Sequence, residues 1–307
     1  MTPISNPIAT PVGLAGLGSQ PPEEDGPVLD CLALPKGMDT YCPPRLPELE
    51  VLPALRPALS LLERLLAALA VYRVGDLPAV LDLSTLDQPN RALLEQTLGE
   101  GEVTGTLTGL PGQCPTSIRE TRLAGVWWLR RQDPSGVAWE LDHLEVADLP
   151  VLVRAMAFDG ATDRLCLPAP LPPGVMNAPG VLAEVNAQVA GWQAGHSAHI
   201  VNLSLLPQTS EDRALLDAVL GAGRVFLSSR GYGTCRVTST RLQNCWRVRH
   251  FNSEGRPILD SIEVTEAPVA VLAAQEDIAD SAVRLGEILA VLGGAGDGVG
   301  AAPDHDG

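Results

Sequence analysis

Lysine is nearly missing from this sequence. Lys36 is the single lysine among 21 basic residues, and all the others are arginine. A GC-rich genome accounts for most of that bias. The sharper reading is that some arginines sit in paired or partner-facing positions that suit a planar guanidinium. Basic charge as a whole is also short, with 21 Lys and Arg against 37 Asp and Glu and a formal charge of −16. That balance argues against sequence-independent nucleic-acid binding and against docking on anionic lipid. Cysteine is sparse: six residues, no C-x-x-C, and pairs such as Cys31/Cys42 and Cys235/Cys245 spaced too widely for a zinc knuckle. No long apolar run is free of charge. The most hydrophobic stretch, Leu52 to Val74, contains Arg56, Glu63 and Arg64, so it reads as an amphipathic helix and not as a membrane span. Nucleotide and hydrolase signatures are missing too. There is no P-loop, no G-x-S-x-G and no H-E-x-x-H, and Gly13-Leu-Ala-Gly-Leu-Gly18 has its glycines in the wrong order for a dinucleotide fingerprint. No carboxylate pair is placed as an acid/base dyad, so no residue is assigned to catalysis, none to a metal, and no cofactor is expected.

What is present is enough apolar material for a core. Hydrophobic residues make up 45% of 307, which excludes global disorder and suits about two domains. Proline punctuates the chain. Twelve of 27 prolines fall in the first 57 residues, and five more lie between Pro168 and Pro179. These stretches read as extended arms or linkers, because proline lacks a donor and restricts the residue before it. The start has no basic n-region and is broken by Pro3, Pro7 and Pro11, so it does not read as a secretory signal, and reduced thiols in the cytoplasm are expected.

The strongest internal signal is a repeat. Arg91-Ala-Leu-Leu-Glu to Gly99 and Val103 matches Arg213-Ala-Leu-Leu-Asp to Gly221 and Val225 at an offset of 122. Thr121-Arg-Leu and Trp127 match Thr240-Arg-Leu and Trp246 at 119; Leu141-Asp142, Glu145-Val146 and Pro150 match Leu259-Asp260, Glu263-Val264 and Pro268 at 118. Upstream, Leu83-Ser84 matches Leu203-Ser204 at 120. The offset changes only across turns, where insertions are tolerated. The period is too long for a solenoid, so the pattern predicts a doubled domain. The expected layout is an acidic Pro-rich arm over 1–50, repeat units over 51–160 and 180–292, a Pro-rich linker over 161–179 and a disordered tail over 293–307. The fold class is α+β: two duplicated halves, each a small antiparallel sheet packed with helices.

Each half reads alike. A helix comes first (Pro57–Arg73; Gly180–Ala194), then a short strand (Val80–Leu83; Ile200–Leu203). A second helix follows, capped at Asn90 or Ser210 and stopped by Gly99 or Gly221. Three strands follow, the last two joined by Asp133-Pro-Ser-Gly136 or Asn252-Ser-Glu-Gly255. Alternation on the middle strand puts Leu123, Trp127 and Leu129 on one face, matched by Leu242, Trp246 and Val248. The opposite face carries Arg122 and Arg130, then Arg241, Arg247 and Arg249. That stripe is either self-paired, with Asp142, Glu145, Asp260 and Glu263 as cross-strand partners, or open to a ligand. Pro268 then opens a long helix over Val269–Leu292.

Three irregular segments carry the candidates for partner binding. Ser19, Gln20, Glu23, Glu24 and Asp25 lie in an acidic Gly/Pro loop, Met38 and Tyr41 continue the arm, and Met176 and Asn177 lie in the linker. Exposed Met and Tyr on stiffened chain suit protein recognition, although such arms also simply wrap cores. Arg230, Tyr232 and Cys235 sit around a Gly-rich turn. Cys235 is the best thiol for a function, against a plain structural role. His196 and His199 flank a loop–strand junction and read as ordinary loop histidines.

Taken together, Gly18-Ser-Gln, Glu23-Glu-Asp-Gly26, Leu98-Gly-Glu-Gly-Glu-Val103, Pro172-Pro-Gly-Val-Met-Asn-Ala-Pro179, Ser229-Arg-Gly-Tyr-Gly-Thr-Cys-Arg236, Phe251-Asn-Ser and Ala274-Gln-Glu-Asp277 resemble the HupH/HoxQ/HyaF family of hydrogenase expression/formation proteins. The resemblance runs from about residue 10 to about 292. Thr234 departs from the asparagine expected in the Gly-Tyr-Gly run. The resemblance implies a non-catalytic, cytoplasmic chaperone for the iron–sulfur small subunit of an uptake [NiFe]-hydrogenase. Its implied partners are that subunit's precursor, with a twin-arginine leader held before export, and a thioredoxin-like partner chaperone. The alternative is an iron or iron–sulfur delivery or scaffold factor that uses Cys235.

Overall fold

The computed structural model describes residues 54–230 and 233–297. Along the chain run α1 (Arg56–Val71), β1 (Ala79–Asp82), α2 (Gln88–Leu98), β2 (Val103–Leu107), β3 (Thr116–Glu120), β4 (Val126–Gln132), β5 (Trp139–Val146) and α3 (Val151–Met156). There follow α4 (Ala178–Ala190), β6 (His199–Asn202), α5 (Ser210–Leu220), β7 (Val225–Ser229), β8 (Thr234–Ser239), β9 (Cys245–Phe251), β10 (Pro257–Val264) and α6 (Gln275–Asp297). The expected helix–strand–helix opening of each half is present. The number of strands after it is four and not three. The run through Thr121–Leu129 is broken by a turn at Gly125, whose φ of +77° ends β3 and restarts the chain as β4. Asn244, φ +54°, does the same between β8 and β9. Leu123 is therefore in the turn, although it is buried as expected.

Helix α1 forms because Ala58, Leu62, Leu65 and Leu69 recur every three or four residues and all are buried. The caps of the second helices lie upstream of those expected. Asp87 accepts the Asn90 N–H at 3.0 Å, and Thr209 forms a reciprocal capping box with Asp212. Both helices stop at the expected glycines, Gly99 and Gly221, at φ of +59° and +57°. Arg122 and Arg241, expected on the sheet, instead lie over these helix ends. Arg241 donates to the Ala218 carbonyl at 2.9 Å, and Arg122 packs on Gly99.

The two small sheets expected from the repeat are one sheet. Its order is β1-β5-β4-β3-β2-β7-β8-β9-β10-β6, with antiparallel pairing at each of the nine junctions. The halves meet edge to edge at β2 and β7, so neither presents a free edge there. Gly105 faces Leu227 across this seam. These two positions correspond at the 122-residue offset, so a local two-fold axis passes between them. Among the described residues the outer strands are β1 and β6, at the far ends.

The sheet has two unlike faces. On one, α4 and α5 cover Val201, Cys245, Ile262 and Val264 at one end. At the other end α1 packs on β1 and β5, and α2 sends Arg91 and Glu95 to Asp142 and Arg130. Ile118, Trp127, Leu129, Leu227, Val237, Trp246 and Val248 fill the opposite face and join the main core. There Phe158 meets Trp246 edge-on at 5.1 Å. The end of the chain differs from expectation. Val269–Val271 is a single 3-10 turn and α6 starts only at Gln275, because Ala274 to Asp277 supply the first helical turn. Helix α6 packs back on α1 and continues past Leu292, into the stretch expected as tail.

Candidate functional site

Between the two helix pairs, no described residue covers the middle of the sheet on the helix-bearing face. A cleft of about 440 Å³ lies there, lined by Glu100, Thr104, Thr106, Ser117, Arg119, Trp128, Arg130, Phe226 and Arg230. Strand alternation explains the set. Register pairs Thr104 with Arg119 and Ser228, Arg119 with Trp128, and Thr106 with Ser117 and Phe226, so all point to one side. The floor is mostly hydroxyl side chains. Phe226 rises from it with 40% of its surface exposed.

One wall is a charge network built on Trp128. The ring is 1% exposed and donates Nε1–H to Asp142 Oδ1 at 2.8 Å. The Arg130 guanidinium stacks over it at 4.0 Å, and Arg119 lies at 5.3 Å. Arg130 also reaches Glu95 at 2.8 Å and Asp142 at 3.3 Å, while Arg91 contacts the second Asp142 oxygen. Burial pulls the Arg130 guanidinium down from its ordinary value, and Glu95 opposes that. The second half repeats the plan with one exchange. Arg247 stands where Trp128 does and clamps Asp260 with two 2.6 Å hydrogen bonds, while Arg249 bonds Asp217 at 2.7 Å. The arginine stripe is thus largely self-paired. Its partners include Glu95 and Asp217 on helices, while Glu145 and Glu263 lie on the other face of the sheet. Arg230 and Arg236 have no carboxylate within salt-bridge distance among the described residues; Arg236 lies over Phe251 at 4.6 Å. Around the cleft, Arg91, Arg119, Arg130, Arg230, Arg236, Arg247 and Arg249 outnumber Glu95, Glu100, Asp142, Asp217 and Asp260. A small positive excess therefore sits on a chain of −16.

The sequence-derived candidates do not gather. Arg230 lines the cleft. Met176 is 72% exposed on the second half, well held: the Asp212 carboxylate accepts N–H bonds from Met176, Asn177 and Ala178 at 2.8–2.9 Å. Burial pushes that carboxyl up, but those bonds and one from Thr209 outweigh it and hold it below the usual range. Asn177 itself donates to the Pro207 carbonyl at 2.6 Å. Cys235 is not in a turn but on β8, buried on the face opposite the cleft, 3.7 Å from His250 Nε2. Burial, then Glu263, pushes its thiol up to about 11. Ser19, Gln20, Glu23, Glu24, Asp25, Met38, Tyr41 and Tyr232 lie outside the described residues. Arg119, Trp128 and Phe226 were missed. The Trp127-Trp128 doublet was the available signal, since adjacent strand residues serve opposite faces.

A second cleft, of about 340 Å³, lies where α6 begins and holds Glu102, Glu120, Asp277 and Asp280 with Arg122 and Arg284. Glu120 is 8% exposed and accepts the Gly125 N–H at 3.2 Å. Burial pushes its carboxyl up to about 7, helped by Glu102 and Asp277 and opposed by the Gly125 and Val103 N–H groups. Between its unfolded value and 7, the unfolded chain has released a proton that the folded chain retains. Folding therefore loses stability as pH rises through that window. Glu120→Gln should stabilise the protein by about 3 kcal/mol at pH 8 and by under about 1 kcal/mol at pH 5, at roughly 1.4 kcal/mol per pH unit of displacement from 4.5 to about 7. Urea unfolding at the two pH values checks this; an equal change at both would remove titration as the cause.

With this geometry in view, similarity to known proteins decides the family. The profile described as "HupH hydrogenase expression protein, C-terminal conserved region" matches residues 55–165 and again 175–292. The chain belongs to the HupH family of hydrogenase expression proteins. Hydrogenase expression/formation protein HoxQ of Cupriavidus necator is 41% identical over 288 residues, which is 94% of this chain and 99% of the relative. HupQ of Azotobacter chroococcum is 47% identical over 276 residues, 88% and 93% of the two chains. The hydrogenase-1 operon protein HyaF of Escherichia coli is 33% identical over 217 residues, 70% and 73%. A solved HupH structure from Thiobacillus denitrificans is 28% identical and covers 38% of this chain and 97% of its own, with a TM-score of 0.36. The family's members are named for hydrogenase expression and formation, which places this chain in hydrogenase maturation.

Proposed function

We propose that this HupH-family chain is a non-catalytic chaperone for the iron–sulfur small subunit of an uptake [NiFe]-hydrogenase. It holds the precursor in the cytoplasm before twin-arginine export, alongside a thioredoxin-like partner chaperone. The observation that carries this reading is the middle of the sheet, left open by the described residues, where Phe226 is exposed among hydroxyl and arginine side chains. An open sheet face with an exposed aromatic ring and arginines, flanked by helices, supports docking of another chain there. We infer further that the two matched segments arose by duplication, which gave the seam its two-fold arrangement and created this shared surface.

Co-expression of the chain with the small-subunit precursor, followed by affinity purification, tests the proposal. Recovery of a stoichiometric complex is expected. Failure to recover any form of the precursor would sink it.

The rival reading, iron or iron–sulfur delivery through Cys235, is disfavoured by the thiol's burial and raised pKa. No group of three or more His, Cys, Asp or Glu that would hold a metal occurs among the described residues. In the native chain at pH 8, Cys235 should resist alkylation while exposed Cys166 reacts. Mass spectrometry of the labelled protein reads both, and equal labelling rates would revive the delivery role.

A further inference from the structure

The open floor spans β3, β2, β7 and β8. At roughly 4.8 Å per strand that is about 19 Å across, room for one α-helix of about 10–12 Å diameter. What such a floor offers is side chains. Its main-chain N–H and C=O groups are all engaged in strand pairing, and the outer strands among the described residues, β1 and β6, lie at the far ends, so a visitor cannot join by adding a strand. Its chemistry is mixed: one exposed aromatic ring at the centre, hydroxyls around it, and guanidiniums at the rim. Arg230 and Arg236 lack carboxylate partners among the described residues, and Arg119 is held by one exposed acid, Glu100, at 3.0 Å. This cationic strip is the reverse of the chain's overall charge.

We propose that the cleft takes an acidic amphipathic helix of a partner protein, with apolar side chains seated on Phe226 and carboxylates facing Arg119, Arg230 and Arg236. The assignment deepens the chaperone reading and rests on it. It also separates the cleft from a basic leader sequence, which these arginines would repel. A single-stranded nucleic acid fits poorly, because among the described residues Phe226 is the one exposed ring lining the cleft and stacking of successive bases needs a series of them.

The test is a fluorescence titration of the full chain with a labelled amphipathic peptide of about fourteen residues, four helical turns. It carries Glu and Asp on one face and Leu and Ala on the other. A counterpart with Arg in place of each acid and a labelled oligo-dT of similar size run beside it. The acidic peptide is expected to bind at least about tenfold tighter than either, and to weaken as salt rises from about 0.05 to 0.3 M. Phe226→Ser and Arg230→Glu should each weaken it about tenfold. Both side chains are exposed, so thermal unfolding of the variants should match the parent. Equal or tighter binding of the Arg peptide or oligo-dT, or unaltered binding by both variants, would overturn the proposal. So would a self-associated form that Arg230→Glu dissociates, which would give the cleft to a second copy. The same variants are then used to capture the small-subunit precursor. Capture by parent and variants alike overturns the cleft assignment and leaves the chaperone reading standing. Peptide binding without capture by any of them does the reverse.

Discussion

Asp142→Ala should lower the unfolding free energy by about 3–5 kcal/mol, the range for removing one partner of a buried charge network. Asp142 is 4% exposed and is the shared acceptor for Trp128 Nε1, Arg130 and Arg91. Its loss leaves the buried indole N–H without an acceptor and strips two partly buried guanidiniums of their shared carboxylate, Arg130 keeping Glu95 and Arg91 keeping the Leu83 and Leu86 carbonyls. Asp142→Asn should recover part of the loss, because the amide oxygen accepts from Trp128 while neutralising neither arginine. The matching change in the second half, Asp260→Ala, should cost less, about 1–2 kcal/mol, because the Asp260 side chain is 23% exposed and water replaces part of what is removed. Urea unfolding of the three variants ranks them. Equal losses for Asp142→Ala and Asp260→Ala would mean that Trp128 does not sit on a dry network. The same experiment bears on recognition. Arg130 and Trp128 form a wall of the cleft only while Asp142 holds them, so Asp142→Asn should fold yet bind the precursor more weakly.

The repeat made much of this network legible. Matching Leu141-Asp142 with Leu259-Asp260, and placing arginine on the neighbouring strand, predicts acid–arginine pairs on one sheet face in both halves, and those pairs are present. Two parts were hidden for physical reasons. Glu95 and Asp217 reach the stripe from helices, and helix docking over a sheet leaves no periodic trace on the strands beneath. The left-handed turns at Gly125 and Asn244 shift the alternation, so Arg122 and Arg241, in step with Arg130 and Arg249 when the run is read as one strand, belong to helix ends. The arm is a different case: its acidic loop, Met38 and Tyr41 were the most distinctive segments in composition, and they lie outside the described residues. The cleft belongs to neither half alone, which is why a reading of each half in isolation passed over Arg119 and Phe226.

Gly105→Val should be the most damaging single change at the seam, with a loss of about 3 kcal/mol or more and a fall in melting temperature of roughly 6–12 °C. A Cβ at Gly105 would stand 2.3 Å from the Phe226 carbonyl oxygen and 2.6 Å from Leu227 Cδ2. The first contact is with backbone, so no rotamer change relieves it. β2 must move away from β7, and the movement breaks the ladder that joins the halves. Carried two residues past Val103 and Val225, the 122-residue offset sets glycine in one half against leucine in the other. The meaning of that asymmetry depends on the two strands meeting: at Gly105 the β7 backbone itself stands where a Cβ would be, with Leu227 packed beside it. Leu227→Ala in the Gly105→Val background separates the two contacts. It removes Cδ2 and leaves the carbonyl, so it should recover little stability, while Leu227→Ala alone should cost about 2–4 kcal/mol as a buried cavity. Full recovery in the double variant would show that the side chain alone forbids a larger residue there. A Gly105→Val chain as stable as the parent would mean that β2 and β7 are not paired. Because the cleft floor is laid across that pairing, the variant should also lose precursor binding in proportion to the fraction unfolded or unseamed. A binding titration at a temperature where circular dichroism reports the variant fully folded separates the two causes.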